Sequence, residues 1–543
     1  MHAPAPAAAQ TNQIEMFQDD IQLLANPAPT LVQLRELGVN VLRVSIHWSA
    51  IAPYQRPPAG FDATDPAAYP AANWALYDEI AGDAKMDGIT LDFSLSSPAP
   101  GWALGRGQPA PGGWGGWKPS ASAFKQFAEA VGKRYSGTYD PTQNKSVPGD
   151  PNDLPRVSFW ELWNEPNFGA DLAPQAIKGS SVLSAPWMYR NLVDAGWSGL
   201  QSSGHGHDQI LIGNLDARGQ SARPGKGAPQ GLPGNFGQTK PLQFVRSLYC
   251  LNSSYKQLRG GAAASVGCPT SAAGSRQFRA SHPGLFQATG FATHPYPVNL
   301  PPTQASSTDP DYTEFSELPS FGGTLDRIQR IYGSGRRFPV YNNEYGYITN
   351  PPNRSLTPLN PNGQFVSPAT AAGYINWAEY LSWRNPRLAS TMQYLLVDPN
   401  PRKAPEYGGF ASGLIFYGGV KKPAYNAYRL PLFLPFTTAK RGHSLEVWGC
   451  VRPAHYARLD TGGTPQKVQI QFQRGSRGAF TTLRTVTVTN VRGYIDLRVT
   501  FPASGSVRLA WSYPTMSQLP AASPTAAVAG QTVYSRTVNV TVK

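Results

Sequence analysis

Phe159-Trp160-Glu161-Leu162-Trp163-Asn164-Glu165-Pro166-Asn167 opens as an apolar, aromatic run of the kind that suits a buried parallel strand. Pro166 has no N–H to give to a ladder, so the strand must stop there. Glu165 therefore stands at the carboxyl end of a buried strand, at the lip of a loop. A second stretch of the same kind, Phe338-Pro339-Val340-Tyr341-Asn342-Asn343-Glu344-Tyr345-Gly346, puts Glu344 at the end of another strand. In a β/α barrel, strand ends are where chemistry is done.

Working outward, strand-like and helix-like patterns alternate on both sides of this stretch. Strands are expected at 13–17, 39–46, 90–95, 160–165, 209–213, 291–294, 340–344 and 391–397. Between them fall helical patterns such as 74–86, stopped by Gly88, and 121–135, 187–200, 325–331 and 371–383. Eight such units predict a closed parallel (β/α)8 barrel over residues 14–435, after a disordered lead at 1–13. An open doubly wound sheet would want a Gly-rich phosphate loop after its first strand, and none is present. Glu165 and Glu344 are too far apart for plain barrel units, so insertions are expected at 213–241 and 251–283. After Pro435 the period changes to two, with polar turns between short runs, which predicts an antiparallel β-sandwich at 436–543.

The net charge of +14 (47 basic, 33 acidic residues) and a pI near 9.6 raise nucleic acid as a partner. The Lys and Arg are scattered, however, and the densest groups are pairs such as Arg336-Arg337 and Lys421-Lys422, so no nucleic-acid partner is expected. Attraction to anionic polymers or cell surfaces fits better. No run of eighteen apolar residues exists to span a membrane. Cys250 and Cys268 flank a polar loop where a disulfide is expected, and Cys450 reads as a buried small apolar residue. The Ala/Pro-rich start after Met1-His2 has no apolar signal core and reads as a mature secreted protein, placed outside the cell.

Two strand-end carboxylates supply a nucleophile and a proton donor, the pair that retaining glycoside hydrolysis needs. Trp160, Trp163 and Phe168 give Glu165 aromatic surroundings that favour a held proton. Trp163-Asn164-Glu165-Pro166-Asn167 together with Glu344 resembles the two catalytic motifs of the clan A glycoside hydrolases, over residues 14 to about 430. The wording is most similar to family 39, with family 5 next. The resemblance implies a (β/α)8 barrel, Glu165 as acid/base, Glu344 as nucleophile, Asn164 on the sugar 2-hydroxyl, and Arg43 keeping the nucleophile ionised. His294-Pro295-Tyr296 resembles the sixth-strand element whose His and Tyr contact the nucleophile region. Two departures stand out: Tyr394-Leu395-Leu396-Val397-Asp398 lacks the Trp of family 5, and Asn343 replaces a small hydroxyl residue before the nucleophile.

Trp102, Trp114 and Trp117 after the third strand are candidate sugar-stacking rings, with loop packing as the alternative, and Trp48 after the second strand is a candidate substrate-binding residue. Asp19 and Asp20, ending the first strand, either bind sugar hydroxyls or cap a turn. His205-Gly206-His207-Asp208 offers metal-ligand types but reads as a solvated turn on the opposite face. No cofactor or metal is expected, and a carbohydrate is the expected partner. A non-catalytic carbohydrate-binding barrel is the rival from another class, and an inverting or transglycosylating enzyme the rival within the same one. The sandwich is expected to brace the barrel through the apolar stretch Leu445, Val447 and Trp448.

Overall fold

The structure, a computed structural model, describes residues 12–53, 56–108, 115–177, 180–220, 237–349, 365–400 and 410–543. Eight strands form its main sheet: β1 Ile14–Gln18, β2 Val41–His47, β3 Thr90–Ser96, β4 Phe159–Leu162, β5 Gln209–Asp216, β6 Gly290–His294, β7 Val340–Asn342 and β8 Ser390–Tyr394. Their order, β8-β1-β2-β3-β4-β5-β6-β7, is a cyclic succession with parallel pairing, the sheet of a (β/α)8 barrel. Helices Ala71–Asp87, Ala121–Arg134, Ala185–Ser202, Leu318–Ile331 and Pro368–Arg384 intervene where the sequence pattern put them.

Alternate side chains of β3 and β4 divide between two environments, as the pleat requires. Phe93 and Trp160 face the helical layer, where Phe93 meets Tyr135 edge-on at 5.0 Å between ring centres. Ser94 and Glu161 are register partners and turn the other way, toward Arg43. Arg43, Asp92, Ser94 and Glu161 therefore line one polar, solvent-free layer inside the sheet.

Contacts divide the chain into two compact units. One comprises Leu42–Tyr296 and Ala305–Glu344, with nearly all of β2 and the whole of β3 to β7. The other gathers Met1–Val41, Pro297–Gln304 and Tyr345–Lys543, so β1, β8 and the C-terminal strands belong to one body. In the latter, two sheets enclose a core that includes Val447, Val468, Ile470, Val507 and Leu509. Leu445 and Val447 point into that core, whereas Trp448 packs on Tyr380 and Trp383 of helix Pro368–Arg384. The alternating pattern missed one helix here, Ala454–Asp460, whose Tyr456 hydroxyl donates to the Val39 carbonyl at 2.6 Å.

A buried ionic group fastens β1 to the C-terminal strands. Arg452, almost wholly buried, lies 2.9 Å from Glu15 and 2.8 Å from Glu379. Burial pushes the Glu15 carboxyl up to about 8 despite the guanidinium. Removing one partner of such a set strands the other charges without solvent. Arg452→Ala is expected to lower unfolding free energy by about 3–5 kcal/mol, read from urea denaturation. A loss below 1 kcal/mol would show that this group does not fasten the unit.

Cys250 and Cys268 form a disulfide, and Cys450 is free and buried. The insertion expected at 251–283 contains helices Gly260–Ala264 and Ala272–Ser281, and helix Pro283–Gln287 starts at its last residue. Ser271 caps the second by accepting from Gly274 N, a signal hidden among the surrounding Gly, Ala and Ser. Most of the other insertion, at 221–236, lies outside the described residues.

Candidate active site

β4 stops at Leu162, three residues before Glu165. Trp163 (φ 72°) and Glu165 (φ 35°) both lie in the left-handed region, which costs a non-glycine residue about 1–3 kcal/mol. β5 supplies the clamp that holds them there. Asn214 Nδ2 donates to the Trp163 carbonyl at 2.7 Å, and the Asn214 carbonyl accepts from Glu165 N at 3.0 Å. Asn167 donates to the Asp216 carbonyl at 3.0 Å and accepts from Asp216 N at 2.9 Å. The turn carrying Glu165 is thus sewn to its neighbouring strand.

Glu344 lies two residues beyond β7. Its Oε2 accepts from Arg43 Nη1 at 3.2 Å and its Oε1 from the Tyr296 hydroxyl at 2.8 Å. The remaining donors of Arg43 are committed as well: Nε to Glu161 at 2.6 Å, and Nη2 to Asn164 Oδ1 at 2.8 Å and to Ser94 at 3.3 Å. Asn343 Nδ2 donates to Glu161 Oε1 (2.8 Å) and to Asn214 Oδ1 (2.7 Å), so the amide that departs from the family pattern bridges the supports of both glutamates. His294, fully buried, sets Nδ1 2.8 Å from Glu165 Oε1 and 3.5 Å from Glu344 Oε2. Ligand atoms of Glu165, His294 and Glu344 all lie within 4.8 Å of one another.

The two carboxylates have unlike surroundings. Burial raises Glu165 well above the ordinary range, and the like charges of Asp216 and Asp171 add to it. Burial raises Glu344 too, but His294, Arg43 and the Tyr296 hydroxyl oppose the rise. A proton shared between two close acids goes to the one with less cationic support, so it rests on Glu165. Burial lowers His294, against the pull of the Glu344 carboxylate. Below, burial holds the Asp92 carboxyl far up, next to Glu161. Neither Asp92 oxygen has a donor among the described residues, and a protonated Asp92 is itself a donor to Glu161.

The structure brings Arg43, Asn164, Glu165, His294, Tyr296 and Glu344 together; other candidates belong elsewhere. Trp48 is completely buried, stacked on Phe127 and edge-on to Trp102, so no face is left for a sugar. Trp102 is half-buried, its indole N–H given to the Pro53 carbonyl. Trp117 is buried, and Trp114 lies outside the described residues. Asp19 is a buried cap: Oδ1 accepts from Gln22 N, and Oδ2 from Leu396 N and Val397 N. Asp20 sits in the first turn of helix Asp20–Ala25 and accepts from Gln18. His205 is not solvated but buried, bonded to Asp208 and to the Gly132 carbonyl and set against Trp160.

Sequence reading passed over Glu161, Asn214, Asp171 and Asp216. Asp171 accepts from the Ser97 hydroxyl, and burial pushes it up to about 6. Glu161 carried a signal: an acid inside an apolar run needs a buried partner. The spacing of Glu165, His294 and Glu344 could close on a cation, but the Arg43 guanidinium already supplies positive charge there and would repel one.

No family model matches this chain, and no curated protein does. Among solved structures it is similar to the GH39 enzyme from Xanthomonas axonopodis pv. citri at 14% identity, covering 91% of this chain and 93% of that one, with a TM-score of 0.46. A family 39 glycoside hydrolase from the gut symbiont Bacteroides cellulosilyticus gives 14% identity over 92% and 82% of the two chains, with a TM-score of 0.45. The family 1 β-glucosidase from Thermotoga maritima gives 11% over 77% and 97%, with a TM-score of 0.43. Likenesses this distant carry no function; the side chains must.

Proposed function

We propose that this chain is a retaining O-glycoside hydrolase acting on a carbohydrate outside the cell. The observation that carries the reading is the pair Glu165 and Glu344, oxygens within 4.8 Å, one in surroundings that favour the acid and the other backed by Arg43 and Tyr296. Inverting enzymes hold their carboxyl groups about 6.5–9.5 Å apart to admit a water, and retaining ones about 5–5.5 Å. Glu344 attacks the anomeric carbon while Glu165 protonates the leaving oxygen; water, deprotonated by Glu165, then releases the glycosyl group from Glu344. Asn164 accepts from Arg43, and the family resemblance assigns it the sugar 2-hydroxyl. A pure binder has no use for such a pair. The extracellular placement is supported by the disulfide, and no described helix is long and apolar enough to cross a membrane.

Proton NMR of the first-formed product, on whichever aryl glycoside a panel shows to be cleaved, tests the reading. The anomer first released should keep the substrate's configuration; first appearance of the opposite anomer sinks the double displacement.

The pH profile follows from the same surroundings. Activity needs Glu344 ionised and Glu165 protonated, and both are raised, so both limbs of kcat/KM lie above the ordinary carboxylate range. Asp216→Asn removes a negative charge that raises Glu165. Glu165 then gives up its proton at lower pH, and the alkaline limb should move acidward while the acid limb holds. An unmoved alkaline limb would detach it from Glu165.

A further inference from the structure

The Lys and Arg are scattered along the sequence, but the net positive charge is not. Residues 436–543 contain 13 Lys and Arg but only three Asp and Glu, and so supply +10 of the net +14. Much of this charge sits in segments joined to one another at one end of the C-terminal sheets. Arg474 is the register partner of Gly505, and Gly475 N donates to the Ser504 carbonyl. Ser504 in turn bonds Val542, and Lys543 exchanges backbone bonds with Ala439 and Arg441. Arg498 Nη2 donates to the Ser444 carbonyl at 2.8 Å, and Arg484 Nη1 to the Arg498 carbonyl at 3.4 Å.

Lys440, Arg441, Arg474, Arg477, Arg484 and Arg498 are all exposed along this rim. None has a salt bridge to an acid among the described residues, whereas Arg35, Arg134, Arg246 and Arg452 each do. Arg498 has acids beside it, with Glu446 opposite in register and Asp496 two residues away on its strand; the other five cations repel one another, and an outside anion relieves this. The strands beneath the rim are about 4.8 Å apart. Its cations therefore span several strand spacings, a length that meets successive charges of a linear polymer rather than one small anion.

We propose that this rim binds an acidic polysaccharide, anchoring the protein on anionic glycan. The choice of polysaccharide over another polyanion rests on the glycosidase reading. The rim itself adds that its cations stand on turns and on several strands, not on one helix that could enter a nucleic-acid groove.

The test uses the full chain. Binding to polygalacturonate is measured by affinity electrophoresis across a salt series, beside neutral dextran, duplex DNA and phosphatidylserine vesicles. The wild type should bind polygalacturonate, weaken steadily with salt and ignore dextran. Both R474E/R477E and K440E/R441E should lose at least tenfold in affinity, with unchanged melting temperature and unchanged turnover of small aryl glycosides. The reversal K85E/R156E, in the other unit, should leave binding as it is. Absence of polygalacturonate binding overturns the proposal, as does binding that both rim reversals leave intact or that K85E/R156E weakens equally. Tighter binding of DNA or of vesicles assigns the rim to that partner instead, and overturns the polysaccharide. Failure of every glycoside to turn over would count against the glycosidase reading alone, since binding is measured without catalysis.

Discussion

Glu344→Ala is expected to abolish turnover of every glycoside, lowering kcat by a factor on the order of 10⁴ or more whatever the leaving group. No covalent intermediate forms without this carboxylate, and no neighbour can stand in for it. Arg43 and Tyr296 present donors, not nucleophiles, and in the proposed mechanism Glu165 serves the leaving oxygen. The loss should appear equally with aryl fluorides, dinitrophenyl glycosides and natural substrates, read from initial rates at saturating substrate. A variant that keeps even a hundredth of wild-type activity on its own would place the nucleophile elsewhere. If azide rescues this variant with retention, the two roles are reversed.

The second large effect is conditional. Glu165→Ala should cost about 10²–10⁴-fold on substrates whose leaving alcohol needs a proton, and little in the first step for fluoride or dinitrophenolate. The glycosyl-enzyme then accumulates, because water lacks its base, so a burst precedes slow turnover. Azide needs no base, and adding it should restore turnover and yield a glycosyl azide of retained configuration. Equal losses on activated and natural substrates, with no burst and no azide effect, would remove the acid/base role from Glu165. Wild-type rates in both this variant and Glu344→Ala would move the site away from these glutamates altogether.

The barrel was legible because its signals are local and repeated. β3, β5 and β6 fall within three residues of their expected ends, and Gly88 ends its helix with φ 68°, the conformation glycine favours. Strand ends near the site were read too long. Glu165 and Glu344 looked like terminal strand residues, yet the first sits in a left-handed turn imposed by Asn214, a constraint from fifty residues away that no local propensity encodes. Trp48 illustrates the opposite error. A tryptophan after a barrel strand has the composition of a sugar platform, and only the tertiary contacts with Phe124 and Phe127 decide that it is core. Asp19 was balanced between ligand and cap, and the amides that decide it, Leu396 and Val397, lie nearly the whole chain away. The helices at 260–287 were missed because Gly, Ser and Ala composition outweighed the capping signal at Ser271.

The fastening of β1 to Arg452 also sets an order of events during synthesis. Glu15 leaves the ribosome before the guanidinium it needs, which follows only when residue 452 has been made. At about 5–20 residues per second, that interval is roughly 20–90 seconds. The stretch bearing both glutamates, residues 42–344, emerges entirely within it, while the unit containing β1 cannot close. A nascent chain therefore carries an unmatched acid on β1 throughout that interval, even after β2 and β8, the neighbours of β1 in the sheet, have been made. Synonymous changes that slow elongation between codons 345 and 452 lengthen this exposure without altering any contact in the finished protein.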